Sequence, residues 1–191
     1  MKKLTYLFIS LLATTFFVSC TSNDDEPEPV NEEELITTLK VTLTGGGEVI
    51  TLQFKDLDGD GGNAPVYTVS GNLKANTTYQ GTTQFLNESV NPADDITEEV
   101  EEEGAAHQVF YQLSNGLGAL SYTTTNNDAN GKPIGTDFMV QTNATTGTAT
   151  FTVTLKHLPN KSAAGLTIST PNLAGGSTDA EAVFTVTVVN N

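Results

Sequence analysis

The stretch LKVTLTGGGEVITLQFK (residues 39–55) decides the fold. Leu39, Val41 and Leu43 alternate with Lys40, Thr42 and Thr44. After Gly45-Gly46-Gly47 the alternation resumes, with Ile50, Leu52 and Phe54 set against Thr51, Gln53 and Lys55. A period of two places the apolar side chains of a strand on one face, and glycine supplies the backbone freedom a tight turn needs. The stretch is predicted to be a β-hairpin with one buried face.

The same pattern recurs along the chain. Further strands are predicted at 66–73, 77–87, 107–114, 118–124, 136–142, 148–157, 164–169 and 181–189. In the clearest of these, Phe151, Val153 and Leu155 alternate with Thr150, Thr152, Thr154 and Lys156. Turn clusters separate the runs: Asp58-Gly59-Asp60-Gly61-Gly62, Asn126-Asn127-Asp128, Asn130-Gly131, Pro159-Asn160 and Gly175-Gly176. Many short strands with regular turn signals predict an all-β fold, an antiparallel β-sandwich of the Ig-like or Greek-key type. One segment departs from the pattern. Around 94–103, Ile96 and Val100 stand four apart, Asp94 or Asp95 precedes them as a cap, and Gly104 follows. This predicts one short acidic helix whose carboxylates form a solvated face.

The N-terminus reads as an export signal. Lys2 and Lys3 precede an apolar run from Leu4 to Phe17, which closes on Val18-Ser19-Cys20. The run is too short to span a bilayer, and its order of charge, apolar core and small residue is that of a cleaved secretory signal. Cys20 is the sole cysteine and abuts a polar, acidic stretch, so it is read as a lipidated new N-terminus after cleavage of residues 1–19. The alternative is a plain secretory signal with an incidental cysteine. Residues 20–34 carry Pro27, Pro29 and a run of glutamates, which predicts an extended tether. Residues 35–191 are then a single sandwich domain. The Asp24-Asp25-Glu26 run after the cysteine resembles the acidic surface-export signal of Bacteroidetes lipoproteins. That implies an outer-membrane protein, surface-exposed or, alternatively, facing the periplasm.

Charge excludes several classes of function. The formal net charge is −15, and loss of Lys2 and Lys3 with the signal deepens it to −17. Arginine is absent. Nucleic-acid binding requires neutralised phosphates, and bidentate capture of carboxylate or phosphate requires guanidinium, so both are excluded as the main activity. An acidic chain favours cations.

Three groups could carry chemistry. In Asp56-Leu57-Asp58-Gly59-Asp60-Gly61-Gly62-Asn63, alternate aspartates around a glycine turn offer Asp56, Asp58 and Asp60 to Ca²⁺, which takes six to eight oxygens. Position twelve from Asp56 is Tyr67 rather than Glu, and the flanks are strands, so this is no EF-hand; the alternative is an acidic turn. Second, His107 shares strand parity with Val109 and Tyr111, and His157 with Phe151, Val153 and Leu155. Two inward imidazoles near acids could bind Zn²⁺ or Cu²⁺, or ligate haem; the alternative is two separate rim histidines. Third, the loop Lys156-His157-Leu158-Pro159-Asn160-Lys161 offers its lysines as a rim for a ligand. Nucleophile elbows, phosphate loops and zinc-protease helices are absent. The prediction is a non-enzyme, with a carboxylate-based hydrolase as the alternative.

The segments FKDLDGDGGNAPV (54–66), LNESVNPADDITEEVEEEG (86–104) with HQVFYQL (107–113), and TVTLKHLPNKSAAG (152–165) with NLAGGSTDAEAVFTVTV (172–188) resemble an uncharacterised family of flavobacterial lipoproteins. Its members are often labelled as a type 1 periplasmic-binding fold. The label implies a two-lobed α/β protein, whereas the alternating threonine-rich strands imply a sandwich. The resemblance implies an outer-membrane address and no defined activity. Two functions follow as expectations: a lipid-anchored, non-enzymatic binding or interaction domain, or a metal- or haem-capture accessory of an outer-membrane transporter.

Overall fold

The hairpin forms as its alternation dictates. Strand β1 (Thr38–Gly45) pairs antiparallel with β2 (Glu48–Lys55) and places Leu39 opposite Phe54, Val41 opposite Leu52 and Leu43 opposite Ile50. Leu39, Val41, Leu43 and Leu52 are fully buried. Gly46 and Gly47 both adopt positive φ (58° and 77°), the two-residue turn whose twist matches the flanking strands. The computed structural model describes residues 34–59 and 62–191. The predicted export signal, Cys20 as the expected lipidation site, residues 20–33 of the predicted tether and Asp60 lie outside the described residues.

The remaining elements, in chain order, are β3 (Val66–Val69), β4 (Leu73–Lys74), β5 (Thr78–Asn87), β6 (Asp94–Asp95), α1 (Ile96–Glu102), β7 (His107–Leu113), β8 (Gly118–Tyr122), β9 (Asp137–Thr142), β10 (Gly147–His157), α2 (Pro171–Ala174) and β11 (Ser177–Val189). One sheet runs β3-β2-β1-β5-β9-β8, with β6 attached to β5; the other runs β4-β11-β10-β7. All pairings are antiparallel except β4 with β11. The inner faces of the two sheets meet in one apolar core. Across that core Tyr111 of β7 stacks on Phe138 of β9 at 3.8 Å between centroids, and Phe151 of β10 lies 6.0 Å from Phe138. Buried hydroxyls are paired: Tyr111 Oη lies 2.6 Å from Thr83 Oγ1 and 2.7 Å from the Gly135 carbonyl. Burial pushes the Tyr111 phenol well above its ordinary pKa. The chain is thus an all-β sandwich, and the two-lobed α/β fold implied by the family label is not adopted.

Helix α1 is the predicted acidic helix. Asp95 caps it by accepting from the Thr97 N–H at 3.1 Å, and Ile96 and Val100 are its buried residues. Two strand expectations need correction. The run 66–73 breaks at Ser70-Gly71 into β3 and β4, which belong to different sheets. The run 164–169 is not a strand. Gly165 has φ 77°, and Thr167 and Thr170 bond to each other at both backbone and side chain, closing a turn. Only Ile168 of this stretch is buried, and its carbonyl accepts the Tyr111 N–H at 2.9 Å.

Candidate metal centre

Strand pairing brings the two histidines together. In the β7–β10 register His107 lies directly opposite His157, with Val109 opposite Leu155 two residues along, on the same face. Their rings stack at 4.9 Å between centroids and 20° between planes. His107 is fully buried and His157 nearly so. Strand parity points both inward, as the sequence predicts.

Carboxylates converge on the same point from three other segments. Glu34, in the lead-in to β1, places Oε1 3.3 Å from His107 Nε2. Glu103 ends α1 and sits four residues before His107 in the turn that feeds β7. Among the described residues, Glu34, Glu103 and His107 form a group whose potential ligand atoms all lie within 4.8 Å of one another. Asp179 comes from β11, with Oδ2 3.9 Å from His107 Nε2. Period two would send Asp179 outward, because Ala180, Ala182 and Phe184 hold the inward phase. A β-bulge reverses it. Leu155 pairs with Ala180 but Lys156 pairs with Thr178, so Asp179 is the extra residue and its side chain turns in.

The polar atoms of this cluster lack ordinary partners. Among the described residues neither nitrogen of His107, nor Glu34 Oε2, nor Asp179 Oδ2 makes a hydrogen bond, although all are buried. Each such atom costs about 1–3 kcal/mol when left unpaired. Burial pushes the Asp179 carboxyl above its ordinary pKa, partly offset by His157 and reinforced by Glu34. Burial, then Glu34 and Glu103, push Glu99 upward as well. Negative groups are therefore crowded around a buried imidazole, an arrangement that a divalent cation relieves. One spacing matches a pair of metal ligands, Glu34 Oε1 to His107 Nε2 at 3.3 Å, while Asp179 Oδ2 at 3.9 Å would have to draw closer. Two ligand atoms about 2.0–2.1 Å from a tetrahedral zinc lie roughly 3.3–3.4 Å apart. Glu103 is exposed, so the cluster opens to solvent on its side.

His107 and His157 were expected to act as a pair of ligands. The geometry brings them together as a stack instead, with His107 central and His157 beside Asp179. Three members, Glu34, Glu103 and Asp179, were not singled out by sequence.

The aspartate loop lies elsewhere, between β2 and β3. Asp58 Oδ2 accepts from Asn63 twice, from the backbone N–H at 3.2 Å and the side-chain amide at 2.7 Å. That side-chain bond first, with the backbone bond, holds the Asp58 carboxyl below its ordinary pKa. Asp56 Oδ1 is buried and accepts no hydrogen bond among the described residues. The lysine rim is occupied internally. Lys161 Nζ is committed to Asp128 Oδ2 at 3.0 Å and the carbonyls of Gly104 and Pro133 at 2.5 and 3.0 Å, and Lys156 Nζ bonds Thr178 at 2.9 Å. Lys161 therefore ties loops together rather than facing a ligand.

No protein-family model, curated protein or solved structure matches the chain. No helix among the described residues is long and apolar enough to cross a membrane.

Proposed function

We propose that the protein is a lipid-anchored outer-membrane domain that captures a transition-metal ion without catalysing a reaction. The observation that carries this reading is His107, buried with neither nitrogen hydrogen-bonded among the described residues and with Glu34 Oε1 3.3 Å from its Nε2. One imidazole with two or three carboxylates suits Zn²⁺ first and Mn²⁺ second, since imidazole favours the former and oxygen the latter. Haem fits the geometry less well, because an axial imidazole needs a porphyrin's width of open space in front of its nitrogen and His107 is fully buried among carboxylates. Delivery of the captured ion to an outer-membrane transporter remains the use that best joins capture with anchoring. Calorimetric titration of the full chain with Zn²⁺ tests the reading. One equivalent should bind, and Glu103→Gln should weaken binding on the order of tenfold or more. Equal, weak heat from both proteins would sink the proposal.

The anchor has its own test. Cys20→Ala should release the protein from the membrane fraction and abolish lipid labelling; unchanged partitioning would refute lipidation. A second cation is proposed at Asp56, Asp58 and Asp60, favoured by the unpartnered Asp56 Oδ1. Ca²⁺ at tenfold excess over Kd would add about 1.4 kcal/mol, a shift of a few degrees in Tm. Melting curves that coincide in Ca²⁺ and in EDTA would reduce the loop to a turn.

A further inference from the structure

We infer that the metal centre is a cation-operated latch for the segment that joins the tether to the sandwich. The inference rests on the metal reading above and concerns Glu34. Among the described residues, the first that backbone bonds pin to the sandwich is Thr37, whose N–H donates to Leu86 O at 3.0 Å and whose carbonyl accepts from Asp56 N at 2.8 Å. Among the described residues, Glu34, Leu35 and Ile36 make no backbone hydrogen bond. Leu35 is 58% exposed, and Ile36 packs only partly against the core. Glu34 is nonetheless drawn in until its side chain is 5% exposed. Apart from the partial packing of Ile36, its carboxylate is the contact that seats this stretch beside His107.

The other members of the cluster are fixed by secondary structure. His107 is locked in β7, Asp179 in the bulge of β11, and Glu103 by its backbone N–H to the Glu99 carbonyl at 2.8 Å. Glu34 is the one member free to leave. With a cation bound, like charges are neutralised and Glu34 is a ligand. The chain is then held beside His107, on the β7 edge of the smaller sheet. Without a cation, Glu34 faces Glu103 and Asp179 at short range, where like charges repel with little screening. The chain is then first held at Thr37, ahead of β1 in the other sheet. Occupancy so moves the point at which the tether meets the domain and frees three more residues, up to about 10 Å of reach.

The test is amide ¹⁵N relaxation of the full chain with and without one equivalent of Zn²⁺, beside a calorimetric titration of the same sample. Zn²⁺ should raise the order parameters of residues 35 and 36 from below about 0.6 toward the rigid-backbone value of about 0.85, and EDTA should reverse the effect. In Glu34→Gln, Zn²⁺ should still bind, on the order of ten- to a hundredfold more weakly, and still shift the amide resonances around 103–109. Its effect at 35 and 36 should be lost. Binding by the natural chain with unchanged order parameters at 35 and 36 overturns the latch and leaves the metal site standing. No binding by either protein overturns both.

Discussion

Zn²⁺ at a hundredfold excess over its Kd is expected to stabilise the folded protein by about 2.7 kcal/mol, because an ion bound only by the folded state adds RT ln(1 + [L]/Kd). For a domain of this size each kcal/mol moves Tm by roughly 2–4 °C, so the midpoint should rise about 5–11 °C and return in EDTA. The effect has a companion in the metal-free protein. Asp179 and Glu34 are buried near one another with no cation between them, and burial disfavours the charge on Asp179. Asp179→Asn should therefore melt higher than the natural protein in EDTA and gain less from Zn²⁺. The two curves exchange order when the metal is added. Melting in Zn²⁺ and in EDTA at the same temperature, for both proteins, would argue against any ion in the cluster.

Lys161→Met should cost about 3–5 kcal/mol, the usual consequence of removing one partner from a buried ion pair. Both side chains are almost wholly enclosed, at 6% exposure for Lys161 and 2% for Asp128. Burial pulls the Lys161 pKa down despite its partner, so charging the lysine is unfavourable there. Burial also opposes the Asp128 charge, but the Lys132 N–H and Lys161 outweigh it and hold that carboxyl below 3.8. The two directions disagree about whether the pair gains by forming. The backbone donors to Asp128 explain the difference, since they stabilise the carboxylate without helping the ammonium. The intact pair therefore adds little, while a lone Asp128 would be stranded. Asp128→Asn combined with Lys161→Met should recover part of the loss, which a double-mutant cycle measures. Asp128 binds fewer protons folded than unfolded, so its contribution is present above about pH 4 and lost as the pH falls below. Chemical denaturation with the single variant within about 1 kcal/mol of the natural protein would show that the loops hold without the lysine.

Local pattern reached some features of this molecule and not others. The hairpin was legible because glycine and a period of two are local signals, and the register Leu39–Phe54 follows from the turn. The inward phase of His107 and His157 was legible for the same reason. Their meeting was not, because a pairing across fifty residues leaves no mark in either strand. Asp179 was invisible in principle: alternation sends it outward, and only the register slip beside Lys156 turns it in. Glu34 and Glu103 were hidden by company. The first ends a run of tether glutamates, and the second ends a helix whose other acids are solvated, so charge alone could not distinguish them. The 164–169 segment misled through Leu166 and Ile168, whose alternation is incidental to a turn tied by Thr167 and Thr170.

The metal centre itself is most directly tested by zinc K-edge X-ray absorption of the full chain loaded with one equivalent of Zn²⁺. The account predicts nitrogen and oxygen neighbours at about 2.0–2.1 Å together with the outer-shell pattern of an imidazole, the latter lost in His107→Ala. A shell of oxygen alone, with no imidazole signature in the natural protein, would contradict it.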